Sequence, residues 1–267
     1  MRQIVCCVTL ALFLGGCVAS STQGGALGVD RKQLMLVSAQ QMDQGATQAY
    51  AQTITAAKSK QKLNPDQVQS ARVRNIAQRI IAKVGVFRPD ATTWRWEVNV
   101  IEDNQLNAWC MPGGKIAVYS GIINQLKLND DELAAVMGHE IAHALREHSR
   151  ERASSEQLKG LGLVVLQAAT GADSGTMQLA QMATHYTISL PFGRSHEREA
   201  DTLGVELMAR AGYDPYAAVR VWEKMLKHSP SNPPEILSTH PSPSSRIADL
   251  KSLAAKVYPL YIEAKGK

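Results

Sequence analysis

The sequence predicts a mostly helical α+β domain with a small antiparallel sheet packed on one central helix. Two observations set the class. Helical patterning with few breakers fills residues 31–85 and everything after Gly121, and the segments between alternate apolar and polar residues around a Pro-Gly-Gly turn. A third observation picks out the central helix. His139-Glu140-Ile141-Ala142-His143 is an H-E-x-x-H pair of histidines inside sequence of strong helical character.

In chain order, the first segment is a targeting signal. Met1-Arg2 carries a positive charge, Ile4 to Leu14 is apolar and uncharged, and Leu14-Gly15-Gly16-Cys17 follows. The run is too short to span a bilayer as a helix and has the layout of a signal peptide. Small residues before a cysteine resemble the bacterial lipobox, so residues 1–16 read as a lipoprotein signal, Cys17 as the lipidated residue and 17–30 as a polar linker. Val18 rather than Asp after Cys17 fits, in lipoproteins of the enterobacterial type, sorting to the outer membrane. Cys6 and Cys7 leave with the signal, so Cys110 is the one free thiol and no internal disulfide forms. The roughly 250 remaining residues suffice for one domain, here 31–267. A net charge of +5 from dispersed basic residues argues against nucleic acid as a partner.

Residues 31–60 read as a helix. Pro65 opens a second, with Val68, Val73, Ile76, Ile80 and Ile81 as its apolar stripe and Gly85 as its end. Trp94, Trp96, Val98 and Val100 alternate with polar residues as a half-buried strand. Asn107 to Met111 and Lys115 to Tyr119 are two more strands, joined by Pro112-Gly113-Gly114. The motif helix runs from about Asp130 to Glu147, started by Asp130-Asp131-Glu132. Gly160 to Ala169 is apolar but short, and reads as a packed helix rather than a membrane-dipping one. Further helices cover Phe192 or Gly193 to Ala211, Pro215 to Lys227 and the stretch after Pro243.

The chemistry lies in the motif's spacing. Residues four apart share a helical face, so both imidazoles can reach one metal ion. Glu140 sits roughly 100° around the helix from His139 and about 60° from His143, placing it beside a metal without binding it. That is the position of a base acting on a water at the metal. Gly138 allows close packing just before the first histidine. His148, nine residues on from His139, falls on the opposite side of a continuous helix and reads as exposed. A zinc site needs a third protein ligand. In Ser195-His196-Glu197-Arg198-Glu199-Ala200-Asp201, Glu197 and Asp201 share a face while Glu199 points away. One of the two acids can bind metal and the other can hydrogen-bond a ligand histidine. His185, His196 and His228 have no supporting pattern.

Four blocks in order resemble peptidase family M48. They are His139 to His143; Glu197 to Asp201 as E-x-x-A-D; Asn107 to Gly121, similar to an N-A-[FW]-x-x-P-G-G-x-I-x-V-x-x-G block; and Thr239-His240-Pro241 to Arg246-Ile247, similar to T-H-P-x-x-x-x-R-I. The resemblance covers roughly residues 65–255 and implies a zincin fold of the gluzincin type holding one Zn2+. It implies His139, His143 and Glu197 as zinc ligands, Glu140 as general base and acid, and Asp201 as the acid behind the ligands. It also implies that Gly113, Gly114, Ile116 and Val118 belong to an edge strand on which an extended peptide pairs through its backbone. His240 is implied at the site, either donating to the oxyanion or filling the open zinc position and holding the enzyme latent. Arg246 either binds substrate carbonyls or braces Asp201. With the lipoprotein signal, the resemblance is to exported quality-control peptidases without a long helical-repeat extension. The expectation is a zinc endopeptidase anchored through Cys17 on the periplasmic side of the outer membrane, cutting misfolded or unassembled envelope proteins. The alternative is a holdase or assembly factor with a latent zinc site.

Overall fold

The computed structural model of the chain describes residues 18–170, 193–228, 240 and 245–266, of which 161–170 are described as helix only. Residues 1–17, which include the expected signal and Cys17, lie outside that description, as do His185, the Pro-rich run Ser229-Pro230-Ser231-Asn232-Pro233-Pro234 and the packing of most of Gly160 to Ala169. Strands β1 (Val18–Ala19) and β2 (Gln33–Leu34) form an antiparallel pair. The first helix therefore starts later than residue 31: α1 is Ala39–Ser59, opened by a capping box between Ser38 and Gln41. Helix α2, Gln67–Ile81, is capped by Asp66 and buries Val73, Ile76, Ala77 and Ile80. Val68 is 81% exposed, because it lies in the first turn before the helix reaches the core.

Strands β3 (Glu97–Ile101), β4 (Ala108–Met111) and β5 (Lys115–Tyr119) make one sheet in the order β3-β5-β4. Gly113 and Gly114, at φ +74° and +79°, close the tight turn that folds β4 antiparallel onto β5. β3 pairs with the far side of β5 and runs parallel to it. The sheet is thus mixed rather than antiparallel. A hairpin read along the chain predicts neighbours in sequence, whereas the connection from β3 passes β5 before β4 is laid down. The consequence for peptide docking is direct. β5 is interior, with Ile116 and Val118 buried and both ladders occupied, so Gly113, Gly114, Ile116 and Val118 do not offer an edge to a peptide. β3 is bridged on its outer side by Leu63, and among the described residues the free edge falls on β4, the strand packed against the motif helix.

After the short helix α3 (Ser120–Gln125), helix α4 runs Asp130–Leu145, its first turn fixed by a capping box between Asn129 and Glu132. It is buried nearly all round, against β4, α2 and the later helix α7 (Ala217–His228). α5 spans His148–Thr170, α6 covers 193–210, and α8 is Arg246–Lys265. α6 crosses α4 at two glycines. A Cβ on Gly138 would come 2.9 Å from the Gly204 carbonyl oxygen, so the backbones meet where side chains would keep them apart. Among the described residues, no helix is long and apolar enough to cross a membrane.

Candidate metal centre

The α4–α6 crossing sets two helical faces against each other at the motif. His139 and His143 come from α4, Glu197 and Asp201 from α6, and His240 from the chain before α8. One ligand-type atom from each of His139, His143, Glu197 and His240 lies within 4.8 Å of all the others. His143 Nε2 is 3.1 Å from His139 Nε2. The Glu197 carboxylate faces both histidines, with Oε2 3.3 Å from His139 Nε2 and Oε1 3.3 Å from His143 Nε2. His240 Nδ1 stands 2.9 Å from Glu197 Oε1 and 3.3 Å from His139 Nε2.

The surroundings turn the lone pairs inward. His139 Nδ1 donates to Asp201 Oδ1 at 3.0 Å, which turns Nε2 toward the cluster. Burial alone would lower the His139 pKa, but its bonds to Asp201 and Glu197 outweigh that and lift it to about 9. Burial drives His143 well below its ordinary value, reinforced by its histidine neighbours. Burial opposes ionisation of Glu197 too, yet three histidine contacts hold its carboxyl far below the usual range. Glu140 is the exception. Burial pushes its pKa up, and its Oε1 is buried without a hydrogen-bond partner, 3.5 Å from His240 Nε2. Two imidazoles, a carboxylate and an unpaired carboxylate oxygen beside them are a donor set that suits zinc.

Arg246 is 2% exposed. Its Nη2 donates to Asp201 Oδ1 at 2.7 Å and its Nη1 to Glu197 Oε2 at 3.1 Å, while the guanidinium lies 3.5 Å over the Trp222 ring. It braces both acids, the second of the two roles that the sequence leaves open for it. Cys110 is buried, its thiol raised in pKa by burial, and it stands outside the ligand cluster.

A second buried polar cluster adjoins the first. α4 stops at Leu145, and Glu147 adopts a left-handed φ of +50°. The chain turns there, and α5 brings His148 back against His143 instead of carrying it to the far side. His148 is buried, with Nδ1 2.8 Å from His143 Nδ1 and Nε2 3.1 Å from Glu199 Oε2. Glu199 thus points away from the ligand cluster, as its spacing from Glu197 predicts, but into this one. His196 stacks on His148 at 4.4 Å and bonds Glu151 at 3.1 Å, while Arg31 joins Glu151 to Glu199. His228 is exposed on α7. His196 has no supporting pattern in the sequence reading; its spacing of three from Glu199, which puts the two on one helical face, is a signal that could have linked them. Nothing in the sequence announced Arg31, Arg146 or Glu151 as their partners.

Comparison with known proteins adds to this geometry. The family model "Peptidase family M48" matches residues 67–254. The mitochondrial metalloendopeptidase OMA1 of Schizosaccharomyces pombe is 37% identical over 182 residues, covering 67% of this chain and 51% of the relative. OMA1 of Saccharomyces cerevisiae is 30% identical over 211 residues, 74% of this chain and 60% of the relative. The beta-barrel assembly-enhancing protease of Escherichia coli is 31% identical over 179 residues, 62% of this chain and 36% of the relative. The matched part spans less than two thirds of each of these relatives.

Proposed function

The chain belongs to peptidase family M48, and from that membership we propose that it is a zinc metalloendopeptidase with His139, His143 and Glu197 as the metal ligands. The observation that carries this is the convergence of three inward-facing donors beside the unpartnered Glu140 carboxylate oxygen. Zinc held there supplies Lewis acidity toward a water and a scissile carbonyl. Glu140 does the proton work. A carboxylate kept out of water and given no hydrogen bond is a stronger base than one in solution, and it takes the proton of the attacking water. The same oxygen then protonates the leaving amine. Asp201 holds the His139 tautomer, and Arg246 fixes Asp201 and Glu197 in turn. An extended peptide adds to the free edge of β4, Ala108–Met111, where backbone bonding admits many sequences.

His240 supports a resting enzyme. Its Nδ1 stands among the ligands where a fourth donor would, so a substrate must displace it. For location and substrate, we favour the periplasmic side of the outer membrane and misfolded or unassembled envelope proteins. The support is the uncharged Ile4 to Leu14 run ending in Leu14-Gly15-Gly16-Cys17, together with similarity to the beta-barrel assembly-enhancing protease. The similarity to OMA1 proteins, mitochondrial by name, does not decide between compartments. The test is incubation of the purified protein with an unfolded outer-membrane protein, with and without a chelator. Chelator-sensitive fragments are expected. Protection of the client from aggregation with no cutting would favour a holdase with a latent site, the reading that the position of His240 also allows.

A further inference from the structure

The two buried clusters meet at one bond between imidazoles. His143 Nδ1 and His148 Nδ1 are 2.8 Å apart, so one nitrogen donates and the other accepts. His143 Nε2 faces His139 and Glu197. If that nitrogen is to bind metal it carries no proton, which puts the proton of a neutral ring on Nδ1. His148 then accepts at Nδ1 and carries its own proton on Nε2, which points at Glu199 Oε2. Glu199 is held in turn by Arg146, through Nε at 2.9 Å and Nη2 at 2.8 Å, and by Arg31. The donors and acceptors agree in direction from His143 to Glu199.

The far end of this chain of bonds is the N-terminal segment. Arg31 bonds Glu199 on α6 and, in a two-toothed contact of 2.6 and 2.8 Å, Glu151 on α5. Arg146 reaches the Ser20 and Thr22 hydroxyls and the Arg31 carbonyl, and Gln33 binds both the Arg146 carbonyl and Glu151. Residues 20–33 thereby close the side of the polar cluster remote from the metal ligands.

We propose that His148 is a positioning residue for the metal ligand His143, fixing its tautomer and ring plane, with Glu199 and the Arg31 segment as its support. This rests on the zinc-ligand reading of His143. Partners of this kind are worth about 10- to 100-fold in metal affinity, because a ring free to rotate or shift its proton is bare at Nε2 for less of the time.

The test is zinc affinity by chelator competition on the full chain, with the melting temperature of the zinc-free protein measured alongside. His148→Leu should bind zinc about 10- to 100-fold more weakly. His148→Asn, whose side-chain oxygen falls near the Nδ1 position, should recover most of that loss. Arg31→Ala should show a smaller loss of the same sign. A lower melting temperature in His148→Leu with wild-type zinc affinity overturns the proposal, since that is what a merely structural role produces. If His148→Leu does not fold, Glu199→Gln carries the test: a fall in affinity of about tenfold supports the proposal, and no change overturns it. His143→Ala separates the two readings. Zinc retained there overturns the ligand assignment itself, whereas zinc lost there but held at full affinity by His148→Leu overturns only the positioning role.

Discussion

A Cβ built on Gly204 would lie 2.8 Å from the backbone nitrogen of His139. The same Cβ would meet the Gly138 carbonyl carbon at 2.9 Å, so the obstruction is main chain and cannot rotate aside. This contact lets α6 lay Glu197 and Asp201 against the histidines of α4. Gly204→Ala gains roughly 1 kcal/mol of helix propensity. Overpacking costs about 1–3 kcal/mol and prevails because two helices must separate. The expected outcome is a lower melting temperature together with weaker zinc binding and slower cleavage. Thermal unfolding and metal titration of the variant check it, and wild-type values in both would show that the crossing is slack.

Glu140→Gln separates chemistry from metal binding. The amide keeps the shape of the side chain and cannot accept a proton, so cleavage should fall by at least about 10²- to 10⁴-fold while zinc content stays at wild type. His143→Ala should lose the zinc instead. Stability gives a further sign. Burial raises the Glu140 pKa, so ionising it in the folded state is unfavourable and stability is lost as pH rises through that value. Glu140→Gln removes that cost, and the zinc-free variant should melt no lower than wild type near neutral pH. Elemental analysis, a peptide-cleavage assay and melting curves together decide.

What was legible in the sequence followed local rules. His139, Glu140 and His143 follow from helical spacing, and Asp130-Asp131-Glu132 mark where their helix starts. Glu197 and Asp201 were found as an i, i+4 pair, although only the fold shows that the Gly138–Gly204 contact brings them to the histidines. His148 was misplaced because the extrapolation ran past the end of α4, where Glu147 at φ +50° redirects the chain. The strand order failed for a related reason. Alternation identifies strands, but whether β3 lies beside β4 or β5 depends on contacts distant in sequence. Arg246 was ambiguous until its two carboxylate partners were seen.

His240→Ala tests the resting site. His240 Nδ1 lies 3.3 Å from His139 Nε2 and 2.9 Å from Glu197 Oε1, and on the proposed resting-state reading it takes the place of an incoming carbonyl or water. Removing the imidazole should raise cleavage of an unfolded model substrate severalfold, on the order of the competition a ligand-like side chain imposes. A fall of about 10²- to 10³-fold would instead assign His240 to oxyanion stabilisation. Initial rates at saturating zinc discriminate the two.

Anchoring is tested at Cys17. If the Leu14-Gly15-Gly16-Cys17 stretch is a lipobox, Cys17→Ala should abolish incorporation of labelled fatty acid and release the protein from the membrane fraction. Proteolysis by the purified protein should be unchanged, because the ligand cluster draws on residues 139 to 240. Membrane retention of the unlabelled variant would point to another mode of attachment.

Acid should strip the second cluster of its charges through Glu151. Burial works against ionisation of this carboxyl, but bonds from Arg31, His196 and Gln33 outweigh it and lower its pKa from 4.5 to about 2. The folded pKa is thus below the unfolded one, so the contribution is complete above about pH 4.5 and is lost as pH falls toward 2. Glu151→Gln cannot ionise and should be less stable than wild type at pH 7, with a flatter acid limb. The two stability curves should converge near pH 2 in urea unfolding of the zinc-free proteins. Parallel curves would show that Arg31 finds an equivalent partner in Glu199 and that Glu151 contributes nothing to holding the N-terminal segment.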